Sequence, residues 1–265
     1  MQVNRPLSIC KVLILLSIFL LNCSKGEKVT LKLALTSANE WNYLFSVDIK
    51  SSIGKSSFNS SLRTYLKSNS LEKNAIVNFK LYTPHITSNF LSEQEKYNLE
   101  RQFEKLVLTL NTKEGAVDTR DTVDLPVLMV GEWDLFRSFF KVLPALPEKP
   151  VRAGERWERE RQFPLETNHG KAIGHLYQLF TLDSLSGDNM VKKAYLSWLF
   201  KYRIEPLSTD SIFLEKLPLN GNGKGRAVFD LDSKTIEVAH ASFSTQSESS
   251  SDITWMETVH LEMIK

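Results

Sequence analysis

The side chains able to do chemistry in this 265-residue chain are few and scattered. There are two cysteines, Cys10 and Cys23, and five histidines, His85, His169, His175, His240 and His260. None of the histidines stands in H-E-x-x-H or another close pair that would put two imidazoles on one metal ion. His240 and His260 fall on adjacent predicted strands and could meet across a sheet, but the pattern offers no further ligand and the reading is chance placement. The many serines include no G-x-S-x-G elbow. Gly221-Asn-Gly-Lys-Gly225 invites comparison with phosphate-binding loops. It lacks the G-x-x-x-x-G-K-S/T order, and a strand rather than a helix follows it, so no helix N-terminus would hold an anion. The stretch from Leu217 to Gly225 therefore reads as a flexible β connection. Glu114, Asp118, Asp121 and Asp124 form an acidic run without the order of a calcium loop, read as a solvated loop. No metal and no cofactor is expected, and a hydrolase assembled from distant residues is the remotest reading.

The cysteines have a simpler explanation. Arg5 and Lys11 precede an almost unbroken apolar run from Val12 to Leu21, and polar residues begin at Asn22. The run is shorter than the roughly 20 residues that span a bilayer and has the length of a signal-peptide core. Leu20-Leu-Asn-Cys23 resembles the lipobox of bacterial lipoproteins, with Leu20 as the aliphatic residue and Cys23 as the acceptor. Asn22 departs from the small residue usual before that cysteine. The resemblance implies cleavage after residue 22 and acylation of Cys23. It also explains why an exported chain keeps a single thiol and no disulfide. Each buried methylene contributes roughly 0.8 kcal/mol, so two or three chains hold a protein on a membrane where one gives marginal binding. Ser24 lacks the aspartate associated with inner-membrane retention, which favours the outer membrane.

Removing the 22-residue leader takes Arg5 and Lys11 from the 33 basic residues and leaves 31, against 31 acidic. A balanced chain argues against a nucleic-acid partner, which demands a basic surface. After a short polar tether, residues 23–28, one β-rich domain is expected over 29–265.

Period-two patterning dominates that domain. Leu31, Leu33 and Leu35 alternate, then Trp41, Tyr43, Phe45, Val47 and Ile49, with a hairpin suggested between them at Ser37-Ala-Asn-Glu40. A weaker strand carries Phe58, Leu62 and Leu66, and another runs from Ala75 to Leu81 and ends at Pro84. Ser92 and Glu95 have capping-box spacing before a helix over Glu93 to Lys105. A second helix is expected from about Gly131 to Val142, with Trp133, Phe136 and Phe140 on one stripe. Pro144, Pro147 and Pro150 then force an extended strap. Strands follow over Trp157 to Phe163, Ala172 to Leu182, and Ala194 to Ile204, where Trp198, Phe200 and Tyr202 share a face. The last three, beginning at Ala227, Ile236 and Ile253, read as an antiparallel meander, with Glu257 breaking an apolar face. About eleven strands, two helices and no βαβ alternation predict a mainly β fold, a strongly curved antiparallel sheet or half-barrel. Two β-rich lobes divided near 144–150 are the alternative.

Gly154-x-x-Trp157 after the proline strap, with Gly223-x-Gly225-x-Ala227-x-Phe229-Asp230 further on, resembles uncharacterised bacterial lipoprotein families over roughly the C-terminal half. It implies location and β architecture, and no activity. The expectation is a membrane-anchored, non-enzymatic lipoprotein that binds an apolar ligand or an envelope-protein partner. Trp41, Tyr43, Phe45, Trp133, Phe136, Trp198 and Phe200 are the candidate pocket lining. The alternative is a solid-core structural or interaction module. Replacing Cys23 by serine should abolish acyl labelling and release the protein from the membrane fraction; retention on the membrane after that change would contradict the anchor.

Overall fold

The computed structural model describes residues 26–33, 41–53, 56–68, 76–105, 107–113, 116–122, 129–130, 133–134, 141–167, 170–187, 192–207, 220–246 and 253–264. Eleven strands form one open antiparallel sheet. Five come from the first half of the chain: β1 (Asn42–Ile53), β2 (Ser56–Ser68), β3 (Ile76–Ser88), β4 (Val107–Lys113) and β5 (Ala116–Thr122). A two-residue hairpin, β6 (Met129–Val130) and β7 (Trp133–Asp134), stands apart. The remaining six are β8 (Arg156–Thr167), β9 (Gly170–Ser186), β10 (Lys193–Pro206), β11 (Asn220–Asp230), β12 (Thr235–Gln246) and β13 (Ile253–Met263).

Each half is a meander, and the two meet where β1 pairs with β13, Tyr43 opposite Met263 through Ile53 opposite Ile253. The order is β5-β4-β3-β2-β1-β13-β12-β11-β10-β9-β8. The halves are therefore one ladder rather than two lobes. The ladder leaves β5 and β8 at opposite edges, so the connection between them must travel from one edge to the other.

One face of the sheet carries the core. Trp41, Tyr43, Phe45, Val47 and Ile49 of the first stripe are buried, as are Ala194, Leu196, Trp198 and Phe200 of β10. Alternation assigns these residues to a single face. That face is covered by the chain itself. Val142, Leu143, Ala145 and Leu146 of the strap are buried against it, together with Val29, Leu31 and Leu33 near the start of the domain. Val29 and Val151 exchange a pair of backbone hydrogen bonds.

The strap is fixed by polar contacts that its backbone makes with indole rings. Trp198 Nε1–H donates to the Lys141 carbonyl at 3.1 Å, and Trp157 Nε1–H to the Ala145 carbonyl at 2.6 Å. Lys141 itself forms a buried ion pair with Glu257 of β13, at 5% and 1% exposure respectively. Its ammonium also lies 4.3 Å from the centroid of the Phe243 ring and 5.7 Å from that of Tyr202, a cation–π arrangement.

Several expectations are corrected. The glycine run is not a loop but strand β11. Gly225 lies opposite Trp198 and Gly223 opposite Phe200. A Cβ on Gly225 would sit 2.1 Å from the Trp198 ring, and one on Gly223 2.2 Å from Phe200. The glycines are needed because the rings of β10 lie over them. The strand expected to end at Pro84 continues to Ser88. Among the described residues its pairing with β4 covers Ile76 to Lys80, so β4 asks Pro84 for no N–H, and on the other side the register with β2 shifts across Thr83 and Pro84. Asp118 and Asp121 stand in β5 rather than in a loop, while Glu114 and Asp124 lie outside the described residues. Leu31 and Leu33 are buried outside the named strands, Leu33 in a single β-bridge, and the expected hairpin at residues 37–40 is outside the described residues.

The first helix is α1 (Glu93–Phe103), with Ser92 and Glu95 forming both halves of the capping box. It anchors to β3 where the Ile86 N–H donates to Glu100 at 2.7 Å. In the second helix candidate, Trp133 and Asp134 are strand instead, Lys141 and Val142 are helical, and residues 135–140 fall outside the described residues.

Removing one member of a buried ion pair costs about 3–5 kcal/mol, whereas replacing both by apolar residues is often neutral. Glu257→Ala should therefore lose a few kcal/mol in urea unfolding, and Lys141→Met/Glu257→Leu should recover most of it. A fully stable single variant would mean that the pair does not secure the strap.

Candidate functional site

The opposite face of strands β8 to β13 builds the site. Because alternate residues point away from the core, the cross-strand register lines up two rows there. One row runs Arg156, Thr181, Ser197, Arg226, His240, His260. The next runs Glu158, Leu179, Leu199, Lys224, Ser242, Thr258. Between them lies an open trough of about 830 Å³.

Ten of these twelve residues line the trough, Glu158 at one end and His260 at the other being left out. Its floor is apolar in the middle, where Leu179 and Leu199 sit opposite each other and Leu199 is 62% exposed. Thr181, Ser197, Ser242 and Thr258 offer hydroxyls. Arg156, Lys224 and Arg226 bring three positive charges, and no carboxylate is among the lining residues. The nearest acid in β9, Asp183, accepts a hydrogen bond from the Ser197 hydroxyl at 2.8 Å.

His240 and His260 do meet. They are direct partners across β12 and β13, with Nδ1 atoms 2.9 Å apart and ring centroids 4.2 Å apart. The Glu262 carboxylate lies 3.1 Å from His260 Nε2. An ionised carboxylate only accepts, so Nε2 carries a proton, and in the neutral ring His260 Nδ1 then presents a lone pair. The short contact then requires His240 Nδ1–H to donate to it. Partial burial first, then repulsion from His260 whenever that ring is protonated and from Arg226, lowers the His240 pKa below the ordinary histidine value against an opposing pull from Glu262. The expectation of chance placement on separate strands gives way to a direct contact.

The other sequence candidates are placed elsewhere. Trp41, Tyr43, Phe45, Trp198 and Phe200 are in the buried cluster of the covered face. Trp41 stacks on Phe79 with centroids 6.0 Å apart, and Phe200 on Phe243 at 5.7 Å. Of the five, only Trp198 also borders the trough, beside Gly225. The side chains of Trp133 and Phe136, and Cys23 altogether, lie outside the described residues. His85 stands 3.4 Å from Glu100, and His175 3.3 Å from Glu205. A second hollow, of about 440 Å³, opens beside the strap between Lys28, Pro147 and Trp157. Among the described residues no group of three or more histidine, cysteine, aspartate or glutamate side chains could hold a metal ion, and no helix is long and apolar enough to cross a membrane.

The trough went unread in the sequence because its cations come from two strands, β8 and β11, that are not neighbours in the sheet. Arg156, Lys224 and Arg226 look like ordinary solvated positions until the register sets them side by side. No family model matches the chain, and a search of curated proteins returns no match.

Proposed function

We propose that the chain is an exported bacterial lipoprotein that is not an enzyme. In this reading it is held on the outer membrane through acyl chains on Cys23, and its sheet, curved as a half-barrel around the strap, serves as a binding scaffold. Its partner is an acidic, extended segment of another envelope protein, seated in the trough. One observation carries this choice of partner: three cations and no carboxylate among the lining residues. Two features support binding on this face over an apolar ligand held within the sheet. The aromatic stripes of Trp41 and Trp198 are buried under the chain's own strap, and Leu199 stands exposed on the trough floor.

The dimensions suit a peptide. Six strands at about 4.8 Å spacing give a trough of roughly 24 Å, the length of about seven extended residues. A polar rim with an apolar centre is also how protein partners are held.

A heptapeptide alternating glutamate and leucine should bind the mature domain saturably, and more weakly as salt rises. Lys224→Glu/Arg226→Glu should reduce that affinity at least tenfold, whereas Lys80→Glu, on β3 away from the trough, should not. Equal binding by the two variants would overturn the proposal. So would a preference for phosphatidylglycerol vesicles over the peptide, which would reassign the trough to the membrane surface.

A further inference from the structure

The paired imidazoles of His240 and His260 have a geometry that the trough does not require. Their Nδ1 atoms are 2.9 Å apart while the ring centroids are only 4.2 Å apart. Two imidazoles meeting head-on through those nitrogens would hold their ring centres farther apart than this, so the two nitrogens meet at an angle. Two ligands at about 2.0 Å from one ion stand about 2.8 Å apart at a square-planar angle and about 3.3 Å apart at a tetrahedral one. The observed separation is that of the hydrogen bond between the rings and is also close to the square-planar spacing, so an ion could replace the shared proton with little movement of either nitrogen.

We propose that His240 and His260 form a surface site for a divalent late transition metal ion, Cu(II) in preference to Zn(II), bound through both Nδ1 atoms. The site is independent of the anchor and lies at one end of the trough, sharing His240 with its lining. Its supporting group is in place: Glu262 accepts the His260 Nε2–H, the arrangement that fixes the tautomer of a metal-binding histidine. His240 needs only to move its proton from Nδ1 to Nε2, so both nitrogens become donors without net loss of a proton from the pair. Among the described residues no third histidine, cysteine, aspartate or glutamate completes the site, so water would take the remaining positions. Tetragonal nitrogen and oxygen coordination favours Cu(II), which also stands highest in the general affinity order. Arg226 lies directly opposite His240 across β11 and β12, and on the other side of the pair Arg63 stands beyond Ser46. Arg226 is exposed and on a long, mobile stem, so it can turn away from the ion.

The test uses the mature Cys23→Ser domain and Cu(II) as the added ion. We expect one Cu(II) per chain with micromolar affinity and an electron paramagnetic resonance spectrum showing two equivalent imidazole nitrogens. His240→Gln and His260→Gln should each weaken binding at least tenfold and leave at most one nitrogen. Glu262→Gln keeps both ligands and should weaken binding only severalfold, a readout that survives if a histidine variant folds poorly. Zn(II) should bind more weakly than Cu(II). An unchanged affinity in His240→Gln/His260→Gln, or a wild-type spectrum with a single nitrogen, would overturn the site.

Discussion

The buried pair between Lys141 and Glu257 is the contact on which the rest of this architecture depends. The ladder leaves β5 and β8 at opposite edges, with ten interstrand gaps of about 4.8 Å between them. A chain that must make that journey can run over either face. Here it runs over the apolar one, and Lys141 fixes its position by placing an ammonium against a carboxylate and two rings in the middle of the core. Buried charges are costly unless paired, so the pair acts as a register mark: a strap shifted by one residue would strand both charges. The indole N–H groups of Trp198 and Trp157 then bind its carbonyls on the sheet side.

This arrangement gives the two faces of β8 to β13 different characters, one packed under the strap and one open as a trough. Aromatic rings on the covered face lie across Gly223 and Gly225, which lets the sheet close tightly at β10 and β11. The same strands turn hydroxyls, leucines and cations to solvent on the other side. A strand with large residues on one face and glycine opposite them is sensitive to substitution on the covered side. Its open side carries no comparable packing constraint.

Much of this was legible in the sequence where one strand alone decides the outcome. The five-member alternation from Trp41 and the six-member one from Ala194 gave β1 and β10 because a period of two needs no partner to be seen. The capping box at Ser92 and Glu95 is local chemistry and marked α1 correctly. Glu257 also announced itself by interrupting an apolar face, but the cation that answers it is 116 residues away and hidden at the end of an apparent helix. What failed were features set by neighbours. Gly221 to Gly225 read as a loop because the aromatic rings that occupy the place of its missing side chains belong to another strand. Pro84 read as a terminator because the break in pairing beside it is a property of the sheet. The His240 and His260 contact and the trough both require cross-strand register, which no single stretch encodes.

The central claim is that the strap is a permanent part of the core, so that binding belongs to the outward face. Ala145, 1% exposed at the middle of the strap, offers the most direct measurement. A single cysteine placed there in the mature Cys23→Ser domain can be followed by its alkylation rate. If the strap is integral, alkylation should proceed only as fast as the whole domain unfolds and should accelerate in parallel with global unfolding in urea. Rapid alkylation while the sheet stays folded would show a strap that lifts, and would return the aromatic stripes beneath it to candidacy as a ligand pocket.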